Sequence, residues 1–167
     1  MRVAIIYVSK HGTTEKVAGL IAEKLTGSNE VELFSLTKKS TPDISRYEMV
    51  ILGSAVYAGN VSGKMKAFCK ANESVLLQKK MGLFVCGMHP QKEQREKELQ
   101  DAYPATLQQK AEATGFLGGE FLFEQMNFFE RFIIKRISKV NRTVHRIDKD
   151  TIDEFALKLK EKGSTML

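Results

Sequence analysis

Strand-like apolar runs recur along this chain near residues 1–8, 30–36, 48–55, 80–88 and 115–123. The first, Val3-Ala4-Ile5-Ile6-Tyr7-Val8, has five branched or aromatic residues in six, the mark of a buried strand. Helical spacing lies between most of the runs. Val17, Leu20, Ile21 and Leu25 follow the first, Val61, Met65 and Phe68 predict a helix near 62–74, and Ile152, Phe155, Ala156 and Leu159 predict the last helix. Strands alternating with helices imply a parallel sheet covered on both faces by right-handed crossovers. Five strands in this rhythm fit an α/β, doubly wound, three-layer domain with strand order 2-1-3-4-5. Its ligand would sit at the strand carboxyl ends, beside the switch point between strands 1 and 3. The stretch 37–47 is short and contains Pro42, which argues against a full helix there.

With 167 residues and 43% hydrophobic composition, the chain reads as one domain over 1–167, without repeats or a linker. No apolar run reaches the roughly 20 residues of a membrane span. The first residues enter a strand at once instead of forming a signal peptide, so the cytoplasm is the expected location. Cys69 and Cys86 have no metal-ligand spacing, which predicts two buried thiols and no metal site. The net charge is +6, and its placement is uneven. Residues 127–146 hold Arg131, Lys135, Arg136, Lys139, Arg142 and Arg146 against Glu130 alone, a net +5 that leaves only +1 for the rest.

The first strand runs into Ser9-Lys10-His11-Gly12-Thr13-Thr14. A strand, a hydroxyl-rich turn and a helix make an anion site, because the first helical N–H groups lack internal partners and the dipole favours negative charge. Neither a Walker A loop nor the Gly-x-Gly-x-x-Gly fingerprint is present. The turn resembles the flavodoxin phosphate loop, Ser/Thr-x-Thr-Gly-x-Thr, with Ser9, Gly12 and Thr14 on matching positions and His11 where that family usually has Thr. The resemblance runs from residue 1 to about 162. It implies the flavodoxin-like fold and flavin mononucleotide (FMN) as cofactor, with Ser9, Lys10, His11, Gly12, Thr13 and Thr14 around the phosphate. An alternative for Lys10 is simple exposure to solvent.

Two more strand ends complete the expected site. Met49-Val50-Ile51-Leu52-Gly53-Ser54 leads into Ala55-Val56-Tyr57-Ala58-Gly59-Asn60. Tyr57 is the candidate aromatic wall for an isoalloxazine ring, or else a Tyr packing an ordinary loop. Gly59 permits close approach or a change of peptide orientation. In flavodoxins a peptide of this loop responds to protonation of flavin N5, and the resemblance gives that role to the Tyr57–Asn60 turn. Ser54 through Asn60 are therefore cofactor candidates. Met81-Gly82-Leu83-Phe84-Val85-Cys86 ends in Gly87-Met88-His89-Pro90. Flavodoxins wrap the pyrimidine edge of the ring here with backbone groups, so Gly87, Met88 and His89 join the list. His89 reads equally as an exposed loop residue. No catalytic side chain is assigned.

Two segments look additional to this frame. Residues 91–113 are polar with alternating charge, either a solvated helix broken at Pro104 or a cap beside the ligand. Residues 127–142 read as a basic amphipathic helix, with Phe129, Phe132, Ile133, Ile137 and Val140 on one face and Arg131, Lys135, Lys139 and Arg142 on another. That helix either packs in the core or meets anionic lipid or an acidic partner.

The stretch Gly118-Gly119-Glu120-Phe121, then Phe129-Glu130-Arg131-Phe132-Ile133-Ile134-Lys135, is similar to bacterial flavodoxin-type protoporphyrinogen IX dehydrogenases, which serve heme biosynthesis and pass electrons to a membrane quinone. That resemblance implies an FMN-dependent oxidoreductase at the inner face of the membrane, contacting it through Arg131, Lys135, Arg136, Lys139 and Arg142. Its competitor is a soluble flavodoxin-type electron carrier facing a redox partner protein. A flavin-free doubly wound binding module is the alternative of another class. A phospho-receiver would need acids where Ser9, Lys10 and His11 stand. No interleaved aromatic and basic pattern marks nucleic acid as a partner.

Overall fold

A computed structural model describes residues 1–38, 41–57, 60–121, 127–128, 131–132, 135–136 and 144–164. In chain order the elements are β1 (Arg2–Val8), α1 (Thr13–Leu25), β2 (Glu30–Ser35), a 3-10 turn (Ile44–Arg46), β3 (Met49–Tyr57), β4 (Asn60–Val61), α2 (Gly63–Leu76), β5 (Lys80–Cys86), α3 (Lys92–Ala102), α4 (Ala105–Lys110), β6 (Ala113–Phe116), β7 (Gly118–Phe121), β8 (Val144–Ile147) and α5 (Lys149–Ser164). Strands β2-β1-β3-β5-β6 form a parallel sheet in that order, which is the expected 2-1-3-4-5 arrangement.

The alternation of strand side chains sorts the core into two layers. Val3, Ile5 and Tyr7 of β1, Met49 and Ile51 of β3, and Phe84 and Cys86 of β5 pack with α1 and α5 through Val17, Ile21, Phe155 and Leu159. The intervening Ala4, Ile6, Val50, Leu52, Leu83 and Val85 pack with α2, α3 and α4 through Met65, Phe68, Ala102, Tyr103 and Leu107. Both cysteines are buried and free. Burial pushes each thiol up to about 12, so neither is a reactive nucleophile.

The structure corrects several expectations. Residues 91–113 are the crossover from β5 to β6, not an addition to the fold, while the break expected at Pro104 is present, between α3 and α4. Tyr103 is buried there, its hydroxyl 2.6 Å from Phe84 O and 3.1 Å from Leu52 O. Residues 55–57 are not loop but the end of β3, which turns back into β4 through the antiparallel pairs Val56–Val61 and Tyr57–Asn60. The strand expected at 115–123 starts at Ala113 and breaks after Phe116. Gly118 (φ +79°) then opens β7, which leaves the main sheet to pair with β8 in a two-stranded ribbon. Residues 122–123 lie outside the described residues.

Between the two ribbon strands lies the basic segment. Residues 128, 131–132 and 135–136 are helical and exposed. Phe128 is 87% and Phe132 51% exposed, and the Arg136 guanidinium lies 5.7 Å from the Phe132 ring centre. Phe132 is thus not a core residue. Phe129, Glu130, Ile133, Ile134, Ile137, Lys139, Val140 and Arg142 lie outside the described residues.

Candidate functional site

Because β1, β3 and β5 are parallel neighbours, the turns that follow them share one edge of the sheet. The turn after β1 is organised by its own side chains. Gly12 takes a left-handed conformation (φ +89°) at the N-cap of α1, which a residue with a Cβ adopts only with strain. The Gly12 N–H donates to Ser9 Oγ at 3.0 Å, and its carbonyl accepts the first helical bond from Lys16 N. The N–H groups of Thr13, Thr14 and Glu15 precede that first bond, so the helix leaves them without internal partners. A Cβ built on Gly12 would meet nothing within 4 Å, so it is the left-handed backbone and not crowding that favours glycine here. From below, the Tyr7 hydroxyl donates to Glu15 Oε1 at 2.8 Å, and burial with the Glu15 charge pushes that phenol to about 12.

Thr14 carries the sharpest signal. Its side chain is fully buried, and Oγ1 has no hydrogen-bond partner of ordinary geometry. The Cys86 thiol is near enough to feel the hydroxyl, but sulfur is a weak partner. A buried polar atom in that condition is costly unless a ligand satisfies it. An orphan hydroxyl, three amides that the helix itself does not satisfy, a positive helix end and a lysine, Lys10, in the same turn fit a phosphate ester.

The other expected residues fall as follows. Ser54 is fully buried within β3, and its hydroxyl makes a long 3.4 Å contact to Ala55 O. Ala55 and Val56 are half-buried, and Tyr57 and Asn60 are paired residues of β3 and β4. Ala58 and Gly59 lie outside the described residues. Gly87, Met88 and His89 follow β5 and are half-buried. His89 Nδ1 accepts from Gln91 N at 3.2 Å, so its first duty is to shape the start of α3. Behind this turn lies Glu98, 6% exposed, with Oε2 lacking a partner and burial raising its carboxyl above the usual range. The turn also touches β7. A Cβ at Gly119 would come within 2.8 Å of Gly87 O, so two backbones meet here where no side chain fits.

Glu120 escaped the sequence reading. Its side chain is 3% exposed. Thr13 Oγ1 donates to Oε2 at 3.1 Å, Lys16 Nζ to Oε1 at 3.0 Å, and His145 Nδ1 lies 2.7 Å from Oε1. Burial alone would raise this carboxyl, but the bonds from His145, Lys16 and Thr13 outweigh it and hold it below the ordinary value. The Thr13 hydroxyl, expected to face a phosphate, is committed to Glu120.

Residues 4–148 match the family model described as "Flavodoxin domain". This chain belongs to that family. The flavodoxin of Clostridium saccharobutylicum is 34% identical over 84 residues, 49% of this chain and 52% of that protein, so the match spans about half the length of the relative. Among solved structures, the two-electron reduced flavodoxin of Megasphaera elsdenii superposes with a TM-score of 0.60 at 16% identity, covering 95% of this chain and 98% of the other. The flavin mononucleotide-bound flavodoxin of Fusobacterium nucleatum superposes with a TM-score of 0.53 at 14% identity, covering 96% and 98%. At such identities the superpositions speak for the flavodoxin fold.

Proposed function

We infer that this flavodoxin domain binds FMN along the edge formed by the turns after β1, β3 and β5 and serves electron transfer. The observation that carries the reading is the buried, unpartnered Thr14 hydroxyl at the N-terminus of α1, where no side chain caps the helix. Bound FMN would supply a ring that accepts and returns one or two electrons. Ser9 and Gly12 hold the loop, the amides of residues 13–15 and the Thr14 hydroxyl take the phosphate, and Lys10 adds positive charge. Tyr57 is the aromatic wall, and Gly87, Met88 and His89 line the ring edge. The protein's part is binding, orientation and exclusion of water. The test is the visible spectrum of purified protein after addition of FMN and desalting. Retained flavin bands support the reading. A colourless protein removes it and favours a flavin-free module.

A second, finer reading is favoured by the exposed Phe128 and Phe132 beside Arg131, Lys135 and Arg136. Aromatic and cationic side chains together suit a membrane interface with anionic lipid. In this reading the chain is a protoporphyrinogen IX dehydrogenase that passes electrons to quinone from the membrane surface. No helix among the described residues is long and apolar enough to cross a membrane, so contact would be peripheral. The enzyme sediments with anionic liposomes at low salt, is released at high salt, and oxidises the tetrapyrrole with a quinone acceptor. The triple change of Lys135, Arg136 and Lys139 to Glu abolishes sedimentation. Indifference to liposomes and to the tetrapyrrole leaves an electron carrier that faces a redox protein.

A further inference from the structure

Glu120 brings a negative charge to the flank of a site built for a negative ligand. It reaches there from β7, opposite His145 in the ribbon register, and meets residues more than a hundred positions earlier in the chain. Its two partners on α1 lie in the first turn of that helix, where the dipole favours an anion. The chain thus supplies an anion of its own. The Thr13 hydroxyl has a single proton, and giving it to Glu120 Oε2 leaves none to donate elsewhere. Lys16 is similarly drawn toward Oε1. A phosphate at residues 9–14 would be repelled by this carboxylate and would draw on the same cation.

We propose that Glu120 is an internal competitor of phosphate at the first turn of α1, so that filling the phosphate loop and anchoring the β7–β8 ribbon oppose each other. The proposal rests on the reading of residues 9–14 as a phosphate site. The opposition is reciprocal, because a coupling free energy between two sites acts equally on both. A phosphate ligand weakens the hold of Thr13 and Lys16 on the ribbon. Whatever tightens the ribbon on Glu120 weakens the phosphate ligand.

The experiment compares wild type with Glu120→Gln, which keeps the shape and removes the charge. Three probes are titrated: FMN, inorganic phosphate, and riboflavin, which has the ring without the phosphate. Affinity for FMN and for inorganic phosphate rises about tenfold in the variant, the common scale of one coupling between neighbouring sites, while riboflavin is unaffected. Equal or weaker FMN and phosphate binding in Glu120→Gln overturns the proposal, as does a gain shared by riboflavin. Hydrogen exchange in wild type covers the case in which the variant misfolds. Amides of 118–121 and 144–147 exchange faster when phosphate saturates the loop, and unchanged or slower exchange overturns the proposal. Wild type that binds inorganic phosphate but no FMN refutes the cofactor reading and leaves the competition measurable. Loop amides that respond to neither probe in either protein refute the competition itself.

Discussion

Thr14→Val is expected to act with opposite signs on the empty and the loaded protein. Valine has the same shape and branching as threonine, so the helix propensity and packing of α1 are nearly unchanged. The only loss is a hydroxyl that is fully buried and makes no ordinary hydrogen bond. Burying such a group costs about 1–3 kcal/mol on mutational scales, and the nearby Cys86 thiol recovers part of it. Removing it stabilises the empty protein by about 1 kcal/mol, which for a chain of this size raises Tm by about 2–4 °C. In the proposed FMN complex the same hydroxyl would donate to a charged phosphate oxygen. A bond of that kind is worth about 1.5–3 kcal/mol, so the FMN dissociation constant rises by roughly 10- to 150-fold. The assays are a thermal melt of the flavin-free protein and a fluorescence titration with FMN. A destabilised empty protein would mean that the hydroxyl already has a good partner. An unchanged dissociation constant would remove Thr14 from the site.

Other expectations follow from single contacts. Tyr103→Phe removes a buried hydroxyl that bridges Phe84 O and Leu52 O, and with one proton it holds only one of them strongly. The cost is about 1–1.5 kcal/mol, read as a fall in Tm of about 2–6 °C with an unchanged fold by circular dichroism; an unaltered Tm refutes the staple. Glu98→Gln tests a carboxyl whose pKa is raised by burial and lowered in part by the His89 charge. The unfolded chain releases that proton more readily, so Glu98 weakens the fold at pH above its unfolded range, and the penalty fades as pH falls below it. Denaturant titrations from pH 8 down to 4 should show the variant's advantage shrinking toward acid, and an advantage that grows toward acid contradicts the reading. Gly119→Ala forces a Cβ against Gly87 O, so it should separate β7 from the turn after β5 and weaken FMN binding together with stability. A variant with wild-type Tm and affinity would show that the two backbones are free to part.

The elements that declared themselves in the sequence are those whose local pattern and tertiary setting agree. β1 reads as a strand from its composition, and its odd and even residues do face different helix layers. The helix expected at 62–74 is α2 at Gly63–Leu76 for the same reason. The crossover α3–α4 was harder, because Ala102, Tyr103 and Leu107 supply a sparse apolar stripe within a strongly charged stretch. β4 is two residues long and carries no period to detect. Glu120 had one local sign, a lone acid inside an apolar strand, but its partners lie far away in sequence and only the fold joins them. Phe132 was expected on an apolar face that either packs in the core or meets lipid or a partner; periodicity alone does not say what such a face meets, and its exposure decides against the core.

The ribbon brings the ends of the intervening segment together, since Phe121 and Val144 are partners across it. The 22 residues of 122–143 therefore leave the frame and return at one place. Closing a loop grows dearer only slowly with length, by about 0.6 kcal/mol per doubling, so such a segment can lengthen, shorten or be exchanged at little cost to the sheet. The flavodoxin frame in this chain is in that sense a socket. A tight turn grafted from 121 to 144 should leave the five parallel strands and the turn after β1 in place while lowering the net charge from +6 to +3, and a foreign segment grafted there would give the same domain a different outer surface.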